Sequence, residues 1–148
     1  MANKGMSAAD IEKLSGDEET IELTMAEAIK SLNSLSHLAQ KSLPTLTSFR
    51  LGNVIDQLTN YYKSFEDKFK KRRLELQTPV READGKIGER QEVQGDNLKK
   101  LETEQMELMA EKVKVKFRPT KLSDLGTEEN IKNIEPQCFV GLRWLISE

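Results

Sequence analysis

The feature that most constrains the fold of this sequence is a run of six apolar residues near its middle, spaced 4, 3, 4, 3 and 4 residues apart. They are Leu51, Ile55, Leu58, Tyr62, Phe65 and Phe69. This heptad-like spacing predicts a long helix, from about Thr45 to Leu76, with one apolar stripe. We expect the stripe to pack against other helices of the same chain. The alternative is that part of it stays exposed and mediates self-association or binding to a partner.

A helix is predicted on each side of this long one. Thr24 followed by Glu27 has the spacing of a capping box, which predicts a first helix that runs to about Lys41. Asp96 or Asn97 is expected to cap a third helix that ends near Glu111. Since short connections make neighbouring helices antiparallel, the second and third should form a long helical hairpin.

Residues 77–97 interrupt the helical pattern and form the expected tip of that hairpin. Thr78-Pro79 stops the second helix, because proline disfavours helix in the residue before it. Asp84-Gly85 is typical of a tight turn between two extended segments. We therefore predict a polar hairpin loop at the tip of the bundle.

Two short segments have the pattern of strands. Val113 to Phe117 alternates apolar residues with lysines, and Thr20 to Leu23 alternates over a shorter stretch. We expect the two to pair, because a lone strand leaves backbone groups without partners. Beyond them, Pro136 suits the first position of a helix, and the apolar residues after it predict a buried C-terminal helix.

The predicted fold is therefore mainly α. We expect an antiparallel three-helix bundle with a long helical hairpin, a minimal two-stranded β-sheet and a docked C-terminal helix. Residues 20–148 form one helical domain, and residues 1–19 form a flexible N-terminal arm. That arm has no apolar run of signal-peptide length, so we expect no secretion by a signal peptide.

The sequence excludes two classes of protein, those with a membrane-spanning helix and disulfide scaffolds. No apolar run approaches the roughly 18 residues that a membrane-spanning helix needs. Cys138 is the only cysteine, which excludes a disulfide scaffold.

The sequence offers little for catalysis. His37 is the only histidine, and no sequence neighbour supplies an orienting carboxylate. Cys138 is expected to be a small buried hydrophobic residue. Glu104, Glu107 and Glu111 share one helix face, but no Glu-x-x-His motif accompanies them. We therefore predict no catalytic residue, no cofactor and no metal site, and a protein that is not an enzyme.

The strongest local signal is a cluster of basic residues. Residues 68–100 contain ten basic and six acidic residues, a net charge of +4, whereas the whole chain carries −2. The predicted partner-binding residues are Lys68, Lys70, Lys71, Arg72, Arg73, Lys99 and Lys100. Cations also suit a helix C-terminus, because they complement the helix dipole. The functional alternatives are an acidic protein partner and, less in keeping with an acidic chain, nucleic acid.

The order of these motifs resembles that of a small family of uncharacterised proteins from tailed bacteriophages. The resemblance covers about residues 20–147. The matching segments are Ile21–Thr24, Asp84-Gly85, Val113–Phe117, Leu122–Leu125 and Phe139–Ile146. The family has no established activity, so the resemblance implies only a phage setting, in the host cytoplasm or in a virion. We expect a non-catalytic protein–protein interaction protein, a virion or assembly accessory component. The alternatives are an inhibitor of a host or defence enzyme, and nucleic-acid binding through the basic cluster.

Overall fold

The computed structural model describes residues 18–81, 85 and 87–148, and helices predominate among them. Residues 1–17 of the predicted N-terminal arm lie outside the described residues. Its last residue, Glu19, begins the first strand, β1 (Glu19–Thr24). Strand β1 therefore starts one residue earlier than the Thr20 that the sequence pattern predicts.

The first helix, α1 (Met25–Leu38), follows β1 without a break. Thr24 Oγ1 accepts a hydrogen bond from Glu27 N at 3.1 Å, and Glu27 Oε1 accepts one from Thr24 N at 2.9 Å. Both halves of the predicted capping box are present, which confirms the helix start. The helix ends at Leu38 rather than near Lys41.

The long helical hairpin is confirmed. Helix α2 (Thr45–Leu76) has the predicted bounds. Strands β2 (Thr78–Arg81) and β3 (Ile87–Glu92) then pair antiparallel, and α3 (Gly95–Ala110) returns along α2. Gly85 has φ 86°, in the left-handed region, as the predicted turn requires. Asp84 lies outside the described residues.

Strand β4 (Lys112–Phe117) pairs antiparallel with β1, as the two sequence patterns predicted. Leu23 lies opposite Val113, and Ile21 lies opposite Val115. Val113, Val115 and Phe117 are buried, and the lysines between them are exposed. One face of this sheet therefore covers the core and the other faces solvent.

The last third of the chain is a series of short elements. They are strand β5 (Thr120–Lys121), a 3₁₀ turn (Leu122–Leu125), helix α4 (Glu128–Lys132), a second 3₁₀ turn (Pro136–Phe139) and strand β6 (Ile146–Ser147). Strand β6 pairs parallel with β5.

The prediction of a C-terminal helix is wrong, although the prediction that this segment is buried is correct. Only Pro136–Phe139 is helical, as one 3₁₀ turn, and Gly141 has φ 77°, which ends any helical path. Side chains of α1, rather than backbone N–H groups of a helix, donate hydrogen bonds to carbonyl groups of this segment. Ser31 Oγ donates to Gly141 O at 3.0 Å, and Ser34 Oγ donates to Val140 O.

The core lies between the inner sheet face, α1, the first two thirds of α2 and this C-terminal segment. Its fully buried members include Leu35, Leu58, Val115 and Leu142. The fold is mainly helical with small two-stranded sheets. There are three such sheets among the described residues, where one was expected. The three-helix bundle is not confirmed, because strands and irregular segments close the core together with the helices.

Candidate interaction site at the helical tip

Most of the predicted partner-binding residues lie together at one end of the molecule. We call residues 66–104 the helical tip, and the remaining described residues the body. Lys68, Lys70, Lys71, Arg72 and Arg73 lie on the last third of α2. Lys99 and Lys100 lie in the second turn of α3, beside the end of α2, because the two helices are antiparallel.

The structure divides these cations into two groups. Arg72 donates from Nε to Glu104 Oε2 at 2.7 Å and from Nη1 to Glu75 Oε2 at 2.9 Å. Lys68 Nζ lies 3.9 Å from Glu111 Oε2, and its side chain is more than half exposed. The hydrogen bonds that Arg72 donates to Glu104 and Glu75 raise the pKa of Arg72, which keeps its positive charge. Arg72 and Lys68 therefore connect the two helices of the hairpin.

The other five cations are exposed, and none forms an ion pair within the described part of the chain. They are Lys70, Lys71, Arg73, Lys99 and Lys100. Their charges are not needed to hold the helices together. They are the part of the predicted site that is available to a partner.

Apolar side chains lie among these cations. Leu74 is 56% exposed and Leu98 is 42% exposed, on the two helices of the tip. Only Leu76 and Leu101 are buried among the described residues of the tip, and neither belongs to the main core. The tip thus projects beyond the core as a hairpin with two buried leucines of its own.

The end of the hairpin is fixed by a hydrogen bond that the sequence did not reveal. Asp96 or Asn97 was predicted to cap α3, but the N-cap is Gln94 and both residues lie inside the helix. Asn97 Nδ2 instead donates to Leu76 O at 3.0 Å. A free carbonyl at the end of α2 is thereby satisfied, and the start of α3 is tied to it.

The acidic residues considered as a metal site have another role. Glu104 and Glu111 bind Arg72 and Lys68 across the hairpin. Within the described residues, no group of three or more His, Cys, Asp or Glu side chains is arranged to hold a metal ion. The antiparallel register predicts these ion pairs, since residues 72 and 104 face each other, as do 68 and 111.

The two candidate nucleophilic or basic residues differ in exposure. His37 is exposed near the end of α1. Cys138 is fully buried in the core, and its Sγ lies 3.6 Å from Glu135 Oε2. Burial and that hydrogen bond both raise the pKa of the Cys138 thiol, so its reactive thiolate is disfavoured.

In the described part of the chain, no helix combines the length and the apolar character needed to cross a membrane. No protein-family model, curated protein or solved structure matches this chain.

Proposed function

We propose that this chain is a non-catalytic protein–protein interaction protein that binds an acidic partner through its helical tip. The observation that carries the proposal is the group of five exposed cations that form no ion pair within the described residues, on the same two helices as the exposed Leu74 and Leu98. Apolar side chains supply contact area, and unneutralised charges steer an oppositely charged surface into register.

The shape of the tip supports the same role. A hairpin that projects from the core presents both of its helices to a partner. Its own ion pairs use Arg72 and Lys68, so binding through the other cations leaves the hairpin intact. In the phage setting that the order of elements implies, the partner is a virion or assembly protein.

The experiment compares two triple charge reversals of the full chain. The tip variant carries Lys70→Glu, Lys71→Glu and Arg73→Glu, all at exposed positions that form no ion pair with another described residue. The control variant carries Lys30→Glu, Lys63→Glu and Lys132→Glu, also exposed but in the body. Each protein is used to capture proteins from lysates of infected and uninfected bacteria, with and without nuclease treatment.

We expect a phage protein that is captured by the natural chain and the control variant but is lost with the tip variant. Equal capture by all three proteins would refute a role for the tip. Capture of a host protein alone would favour the inhibitor alternative. Retention that disappears with nuclease or with added salt would favour nucleic acid.

A further inference from the structure

A second interaction surface lies in the body, at the outer edge of β1. In the antiparallel β1–β4 pair, alternate residues direct their backbone groups toward the partner strand or away from it. Met25 N donates to Glu111 O at 2.8 Å, which continues the ladder and sets that alternation. The N–H and C=O groups of Thr20 and Glu22 therefore point away from β4. No strand pairs with that edge within the described residues.

The opposite edge of the same sheet is closed by side chains of α2. Gln57 Nε2 donates to Lys116 O at 2.7 Å, and Lys116 N donates to Gln57 Oε1 at 2.9 Å. Tyr61 Oη donates to Lys114 O at 2.7 Å. Since Lys114 and Lys116 lie opposite Glu22 and Thr20, these bonds confirm the same alternation. The sheet thus has one protected edge and one open edge.

The open edge borders an apolar groove. Ile21, Glu22 and Leu23 form one wall, and the rest is formed by Glu27, Leu122, Ile131 and the C-terminal segment from residue 136 onward. The groove has a volume of about 1080 Å³. Its apolar lining includes Leu122, Ile131, Phe139, Val140, Trp144 and Ile146. Val140 is 45% exposed there, so the groove has space for apolar side chains of an added segment.

The charges at the groove identify the kind of segment that fits. The charged residues among its described lining are Glu22, Glu27, Glu148 and Arg143, a net negative set. On the other edge of β1, the strand that pairs with it reads Lys-Val-Lys-Val-Lys-Phe and places Lys114 opposite Glu22. In a strand added at the open edge, successive side chains would point to opposite faces. Apolar side chains would point toward the groove, and the basic side chains between them would lie beside Glu22.

We propose that the open edge of β1 binds an extended segment of another protein in which lysine or arginine alternates with apolar residues. The segment adds an antiparallel strand, with backbone hydrogen bonds to Thr20 and Glu22 and apolar side chains in the groove. Charge disfavours the other occupants. Residues 1–17 contain three acidic residues and two lysines, and a second copy would present the same acidic edge.

The test uses a synthetic peptide, acetyl-Lys-Val-Lys-Val-Lys-Val-Lys-amide, and the full chain. Trp144 lines the groove and is the only tryptophan, so its fluorescence reports binding at this place. Two control peptides separate the contributions. One has the same composition, with the lysines and the valines in separate blocks. The other carries a methyl group on the backbone nitrogen of each lysine, which removes the N–H donor. We expect a saturable change in Trp144 emission with the alternating peptide only.

Two variants of the protein test the named contacts. Glu22→Lys should weaken binding about tenfold, because it places like charges side by side. Thr20→Pro removes an outward N–H and should weaken binding about fivefold, with little change in stability, because that group does not bond β4. Glu102→Lys, an exposed reversal in the helical tip, should leave the affinity unchanged.

Equal binding of the alternating and blocked peptides would overturn the proposal, as would the absence of any change in Trp144 emission. Two further measurements identify a different occupant and would also overturn it. One is a change in Trp144 emission on Ile11→Ser with Leu14→Ser, which would show that the chain's own N-terminal segment fills the groove. The other is a dimer, seen by light scattering, that Glu22→Lys dissociates.

Discussion

The body and the helical tip are built from similar helices but are stabilised in different ways. In the body, α1, α2 and the β1–β4 sheet bury side chains such as Leu35 and Val115 completely. In the described part of the tip, only Leu76 and Leu101 are buried, and the hairpin is held by ion pairs such as Arg72 with Glu104. Burial of apolar area stabilises far more than exposed ion pairs do. The body should therefore determine global stability, while the surface of the tip contributes little to it.

The largest effect is expected from truncating the core of the body. Leu35→Ala should lower the free energy of unfolding by about 2–5 kcal/mol, because Leu35 is fully buried and its loss leaves a cavity. Urea denaturation measures the change. Leu74→Ala, at an exposed position of the tip, is the matched control and should change stability by less than about 0.5 kcal/mol. Similar losses in both variants would remove the distinction between the two regions.

A smaller and local effect is expected in the tip. Leu101→Ala should cost about 2 kcal/mol, the low end for a buried leucine, because its surroundings are open to solvent on several sides. Hydrogen exchange should become faster for amides of α3 but not for those of β4, because the tip opens without the body. Met106→Ala, at a position 73% exposed, serves as control. Faster exchange throughout the chain would show that the two regions unfold as one unit.

The protected edge of the sheet offers a third test within the body. Gln57→Ala removes both hydrogen bonds to Lys116 and should lower stability by about 1–2 kcal/mol. Thermal or urea unfolding measures it, with Asn60→Ala on an exposed part of the same helix as control. If Gln57→Ala behaved like the control, the side chain would not contribute to the closure of that edge.

The smallest effect concerns pH. The hydrogen bond from Thr24 N, and then the one involving the Thr24 hydroxyl, lower the pKa of Glu27 below that of a free glutamate. The contribution of the Glu27 carboxylate to the free energy of unfolding is therefore complete above its unfolded-state pKa. It disappears as the pH falls through the lowered pKa of the folded state. Since Glu27 is exposed, the contribution should be about 0.5 kcal/mol or less.

Glu27→Gln should reduce the acid-dependent part of the unfolding free energy by that amount. Unfolding curves recorded from neutral pH to about pH 3 measure it. Glu102→Gln, on the exposed face of α3, is the control. An unchanged pH dependence with Glu27→Gln would show that the capping box is not formed in solution.

The sequence alone determined the elements whose signals are local. The heptad spacing of α2, the capping box of α1 and the alternation of β4 each depend on neighbours within a few residues, and all three predictions are confirmed. The cluster of basic residues was also visible, because adjacent cations on one helix stay together. Pairing of β1 with β4 followed from the need to satisfy backbone groups.

Tertiary structure decided the features that depend on distant partners. The segment after Pro136 is apolar enough for a helix, but the hydroxyls of Ser31 and Ser34 bind its carbonyl groups and stabilise an irregular path through Gly141. The hairpin register decided which cations are neutralised, since Arg72 meets Glu104 only when the helices pack. The groove beside β1 likewise exists only because Trp144 and Ile21, far apart in sequence, line the same space. Such contacts depend on the fold as a whole, which no local pattern encodes.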